Sequence, residues 1–101
     1  MASAVGLALR LTRLDQAMSR SSGHPSIVIG VLDGPVAAHP DISGLAADYK
    51  PAGKESRHGT LVAGLISARR GSGAPGICPS CRLVVHPIFD ADGAPNTDPS
   101  T

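Results

Sequence analysis

Apolar residues in the first stretch of the chain recur with a helical period. Leu7, Leu11, Leu14 and Met18 stand at i, i+4, i+7 and i+11, which predicts a helix over 5–18 with one apolar face. Arg10, Arg13 and Gln16 lie mostly off that face. Ser21, Ser22, Gly23, His24 and Pro25 break the pattern and form a turn. The next run, Ile27-Val28-Ile29-Gly30-Val31-Leu32, is apolar without alternation and rich in β-branched residues. Such a run predicts a strand buried on both faces of a parallel sheet, with Gly30 marking a close backbone approach or a weak point. Residues 34–53, with Pro35, Pro40 and Pro51, read as a long irregular connection.

Helical spacing returns over 60–69. Leu61, Leu65 and Ala68 share one face, with Val62 and Ile66 beside it. Arg69 and Arg70 follow, where cations complement the helix dipole, and Gly71 can stop the helix. After a loop to Pro79, the segment 82–89 contains a second strand candidate, Leu83-Val84-Val85, ending near Pro87 or running to Phe89. The tail, 90–101, is polar, contains Pro95 and Pro99, and reads as loose. The order strand–helix–strand predicts a βαβ unit, hence an α/β fold with a parallel sheet and flanking helices. Alone, such a unit leaves sheet edges open, so a fragment of a larger domain is expected.

Composition sharpens this expectation. The 101 residues include one Phe, one Tyr and no Trp, so any core rests on Val, Ile, Leu and Ala. Twelve Gly and nine Pro imply many turns. A net charge of +1 gives no reason to expect a nucleic-acid partner. The apolar stretch 4–11 is interrupted by Arg10, is too short to span a membrane and makes a poor secretory signal, so a cytoplasmic chain without a membrane anchor is expected. Cys78 and Cys81 form one C-x-x-C. No further ligands follow at zinc spacing, and a strand rather than a helix comes next. Ordinary thiols or a local disulfide are therefore expected in place of a redox or metal site. No cofactor and no metal are expected.

Two residues carry candidate chemistry. Asp33 ends the first strand, at the carboxyl edge where sites collect in open α/β sheets, and Gly34 lets the chain turn there. The plainer reading is a turn aspartate. His58 opens the next helix, with Gly59 leaving space and Thr60 available to satisfy free N–H groups; the plainer reading is a surface cap histidine. His24, His39 and His86 neighbour proline and receive no role.

Taken together, the motifs resemble the amino-terminal part of a subtilisin-like (subtilase) catalytic domain. Ile27 to Pro35, I-V-I-G-V-L-D-G-P, resembles the strand bearing the family's triad aspartate, and His39-Pro40-Asp41-Ile42 resembles the H-P-D-L that follows it. His58 to Gly64, H-G-T-L-V-A-G, resembles the segment bearing the triad histidine, and Gly76-Ile77-Cys78-Pro79 resembles G-V-A-P. The order Asp, His, then Ser is the one subtilisin uses. The resemblance covers roughly 27–89. It implies that 1–24 form an amino-terminal helix and turn, and that 25–101 form part of a peptidase S8-like domain truncated before its serine segment. It implies catalytic roles for Asp33 and His58 in a serine-type endopeptidase acting on a peptide or protein. V-L-D-G-P-V and C-R-L-V-V-H-P-I-F further resemble the cyanobactin maturation proteases, which implies cleavage of ribosomally made precursor peptides in the cytoplasm.

The departures bear on activity. Leu61 replaces the family's second histidine, which is not the proton carrier. The Asp41 position can serve as a calcium ligand in some subtilisins, but no companion ligand is identifiable. No G-T-S-M-A-like segment is present. Ser67 is expected within a helix, Ser72 and Ser80 in loops, and Ser100 beside the terminus; the Asn that would donate to the oxyanion is also absent, Asn96 falling in the loose tail. The chain is therefore expected to be inactive alone, with a second chain supplying the serine half as one route to activity. Two rivals stand beside this reading: a non-catalytic pseudoprotease or interaction fragment, and a small redox or metal protein built on the two cysteines.

Overall fold

The computed structural model describes residues 4–46, 49–50 and 54–95. Five elements follow in order: α1 (Ala4–Leu11), α2 (Leu14–Arg20), β1 (Val28–Asp33), α3 (Arg57–Ser67) and β2 (Arg82–Pro87). β1 and β2 pair in parallel, with Val28 opposite Arg82 and Asp33 opposite Pro87. The chain is thus α/β, built on the expected βαβ unit with α3 as the crossover.

The expected single helix over 5–18 is two helices. Arg13 adopts a left-handed conformation, φ 61° and ψ 17°, which costs about 1–2 kcal/mol for a side-chain-bearing residue. The local cause is Thr12, whose hydroxyl donates to the carbonyls of Ala8 and Leu9 and competes with the helix ladder. Leu7, Leu11 and Leu14 are exposed, and only Met18 of the expected stripe is buried. α2 is tied down at its end instead. The Arg70 guanidinium donates to the carbonyls of Met18, Ser21, Gly76 and Ile77 at 2.6–3.0 Å. Arg70 therefore does not serve the α3 dipole as expected, and neither does Arg69, which pairs with Asp41 at 3.1–3.2 Å.

β1 is covered on one face. Ile29, Val31 and Asp33 face α3 and the core, whereas Val28 and Leu32 on the other face are exposed, Leu32 by 65%. The unalternating apolar run implied two covered faces, but no described element packs on the second. The core holds Val31, Val36, Ile42, Ala63 and Leu83, flanked by Val62, Ile66 and Val85. α3 begins three residues before the expected Thr60 and ends at Ser67, where Ala68 turns extended and bridges Ile42. Its buried face is Gly59, Ala63 and Ser67 rather than Leu61 and Leu65. Small residues let the helix lie close to the sheet. The displaced leucines line an open apolar groove of about 420 Å³ with Ile42, Gly64 and Ala68.

Ser67, expected inside the helix, is its last residue; its hydroxyl accepts from Gly44 N–H at 2.9 Å in the interior. Residues 90–95, expected to be loose, form a closed turn. The Asp90 carboxylate accepts from the N–H groups of Asp92 and Ala94, and Phe89 bridges Pro95. Asn96 and Ser100 lie outside the described residues.

Candidate active site

Asp33 and His58 meet at the carboxyl edge of the sheet. Asp33 is the last residue of β1, and its carbonyl accepts from the N–H of Ile88, just past β2, at 2.9 Å. Strand alternation puts its side chain on the face that α3 covers. His58 lies in the first turn of α3, one residue after Arg57. The helix start is held by Ser56, the N-cap, whose hydroxyl accepts from Gly59 N–H at 3.1 Å. The expected cap, Thr60, does something else. Its hydroxyl donates to the Ser56 carbonyl and accepts from Ala37 N–H, joining the helix to the segment after β1. Ser56 N–H also donates to the Pro35 carbonyl at 2.7 Å.

Two glycines set the approach. A Cβ at Gly59 would collide with the backbone of Gly34, and a Cβ at Gly34 with the Ser56 side chain. Only glycine at both positions lets the start of α3 touch the end of β1. That contact brings His58 Nδ1 to 3.0 Å from both carboxylate oxygens of Asp33. An ionised carboxylate only accepts, so Nδ1 carries the proton and Nε2 is left with a lone pair when the ring is neutral. Asp33 is sheltered, with its side chain 17% exposed, while that of His58 is 78% exposed.

Burial alone would raise the Asp33 carboxyl. The Gly34 N–H at 2.6 Å, the His58 hydrogen bond and the charge of His58 outweigh it, and the net shift is downward. Asp33 is therefore ionised at neutral pH and able to orient the imidazole and stabilise its charged form, with Nε2 turned to solvent. No described residue hydrogen-bonds to Nε2. The pair borders an open cleft of about 350 Å³, walled by Ser56, Arg57 and Phe89 and by the turn 90–93. The apolar groove beside Leu61 is larger and is bordered by His39 and Asp41, but the Asp41 carboxylate stands 3.9 Å from His39 Nδ1, beyond hydrogen-bond distance.

The structure thus brings together the two residues expected from sequence. It also adds three features that were missed: the Ser56 cap, the Gly34–Gly59 contact and the 90–93 turn. The first was legible as a serine three residues before Gly59. The last was legible as Asp-Ala-Asp-Gly, a composition that closes turns through the aspartate side chain. No described serine reaches His58. Ser56 is committed to its cap, Ser67 is interior, Ser80 pairs with Ser22 at 2.8 Å, and Ser72 lines the apolar groove. His24 and His39 bond only within their own loops.

Asp41, the residue with a calcium-ligand counterpart, is engaged with Arg69. Among the described residues, no group of three or more His, Cys, Asp or Glu could hold a metal ion. Nor is any described helix long and apolar enough to cross a membrane. Cys78 and Cys81 are both free thiols.

A comparison with family models matches residues 24–100 to the model described as the subtilase family. Comparisons with curated proteins and with solved structures returned no match.

Proposed function

The chain belongs to the subtilase family, and we propose that it contributes the aspartate and histidine of a serine endopeptidase. Asp33 orients His58 and stabilises its imidazolium. His58 takes a proton through Nε2 from a serine and returns it to the leaving amine. The serine and the oxyanion donors come from residues beyond those described, on this polypeptide or a second one. The observation that carries this reading is the bond from His58 Nδ1 to the Asp33 carboxylate, with Nε2 open to the cleft. It is the arrangement a general base needs: one ring nitrogen held by a carboxylate, the other free.

The 101 residues alone then give no turnover of a fluorogenic peptide. Adding a polypeptide with a G-T-S-M-A-like segment produces hydrolysis that His58→Ala abolishes. Turnover by the chain alone that disappears in His58→Ala would refute the need for an outside serine. For the substrate we propose a ribosomally made precursor peptide in the cytoplasm, on the resemblance of residues 31–36 and 81–89 to the cyanobactin maturation proteases. Equal rates on such a precursor and on an unrelated protein would count against it.

A second reading, an interaction fragment without catalysis, is favoured by the exposed apolar Val28, Leu32 and Val84 on the open sheet face. Its mark is a stable complex with the serine-bearing polypeptide and no hydrolysis.

A further inference from the structure

Away from Asp33 and His58, two nucleophilic side chains share one built turn. Cys81 N–H donates to the Cys78 carbonyl at 3.2 Å, and the Cys81 sulfur and the Cys78 Cβ both lie against the same point beside Gly23. Cys81 is buried, 5% exposed, while Cys78 is half-buried. The turn is held from three directions. Ile77 and Cys78 N–H groups donate to Leu65 and Ile66 at the end of α3. Ser80 bonds Ser22 through both N–H and hydroxyl. The Ser43 hydroxyl donates to the Pro79 carbonyl at 2.9 Å. Gly23, at φ +91°, lies over the pair so closely that a Cβ there would overlap the Cys81 sulfur.

We propose that Cys78 and Cys81 are an oxidisable dithiol, which a low-molecular-weight disulfide converts into an intramolecular Cys78–Cys81 bond. The Cys78 thiolate attacks one sulfur of the small disulfide, forming a mixed disulfide and expelling one thiolate. The Cys81 thiolate then attacks the Cys78 sulfur, closes the protein disulfide and expels the second. Two protein thiols are oxidised, one small disulfide is reduced to two thiols, and the two cysteine protons pass to those thiolates. Cys78 attacks first because it is the less buried sulfur, and Cys81 resolves because the turn already holds it alongside. Burial and the neighbouring thiol raise the Cys78 thiol, against the charge of Arg70, so the exchange quickens as pH rises. The bond staples the link between α3, which carries His58, and β2.

The test equilibrates the full chain with reduced and oxidised glutathione, in native buffer and in urea, then traps free thiols with iodoacetamide for intact mass analysis. The expected native product is two hydrogens lighter and carries no alkyl group. Its equilibrium constant against glutathione exceeds that in urea by at least about tenfold, because the fold holds the thiols together. Cys81→Ser stops at a glutathione adduct on Cys78. Equal constants in the two solvents, a doubly alkylated product after equilibration, or only disulfide-linked dimers would overturn the proposal. Oxidation should also raise the Tm of the wild-type chain by roughly 5–10 °C and leave Cys81→Ser unmoved.

Discussion

Replacing Gly59 with alanine tests whether close contact, rather than the motif alone, creates the Asp33–His58 pair. A Cβ at position 59 would lie 2.9 Å from the Gly34 carbonyl carbon, with the oxygen nearer still, whereas ordinary contact begins at 3.4 Å. The start of α3 must therefore retreat by at least 0.5 Å, since the obstacle is backbone and cannot rotate away. A retreat of that size stretches the 3.0 Å bond from His58 Nδ1 to about 3.5 Å or more, beyond effective hydrogen bonding. Overpacking of this kind costs about 1–3 kcal/mol, and the gain in helix propensity returns at most about 1 kcal/mol.

Gly64 is the internal control. It lies on the same helix and a Cβ there meets nothing within 4 Å, so Gly64→Ala should stabilise by about 0.5–1 kcal/mol. Urea unfolding of both variants, with the Asp33 carboxyl carbon followed by NMR titration, reads both effects. The expected result is Gly59→Ala less stable than Gly64→Ala by about 1–3 kcal/mol, with the Asp33 titration moved upward only in Gly59→Ala. Equal stability with an unmoved Asp33 titration would refute the steric argument.

Three further outcomes follow from the same geometry. In His58→Ala, Asp33 keeps its burial but loses the hydrogen bond and charge that lower it, so its NMR titration should move upward; no change would mean that the pair does not form in solution. Because the Asp33 carboxyl is lowered in the folded chain, its stabilising contribution is present above the unfolded aspartate value of about 3.9 and is lost as pH falls through the lower folded value. The stability gap between wild type and Asp33→Asn should accordingly shrink as pH falls below about 4 in denaturant titrations, and a gap that does not shrink there would contradict the sign. The Tyr49 hydroxyl donates to the Val36 carbonyl and accepts from the Val36 N–H, a residue with no exposure; Tyr49→Phe should cost about 1–3 kcal/mol in urea unfolding, and a neutral substitution would show that water replaces the hydroxyl.

Much of the site was readable because it depends on local backbone chemistry. A β-branched run ending in Asp-Gly, and a histidine at the start of a helix, define where two side chains stand on a βαβ unit, and the parallel register delivers Asp33 to the edge where His58 lies. What could not be read depends on contacts between distant segments. Leu61 and Leu65 have helical spacing, yet the small face of Gly59, Ala63 and Ser67 is buried, because close approach of α3 to β1 outweighs side-chain size. Arg69 and Arg70 look like partners of the helix dipole until the loops bring Asp41 and four carbonyls within their reach. The break at Arg13 escaped the periodicity because both halves keep apolar residues at helical spacing. The exposed face of β1 escaped it too, since an apolar run records what a strand can bury rather than what covers it.

Asp33 holds His58 by Nδ1 and leaves Nε2 able to accept a proton. Long-range ¹⁵N–¹H correlation of the His58 ring reads this directly, at a pH where the imidazole is neutral. The expected result is the proton on Nδ1 and a lone pair on Nε2 in the wild-type chain, with that preference lost in Asp33→Ala. A neutral ring carrying its proton on Nε2 in the wild type, or one indifferent to the loss of the carboxylate, would contradict it.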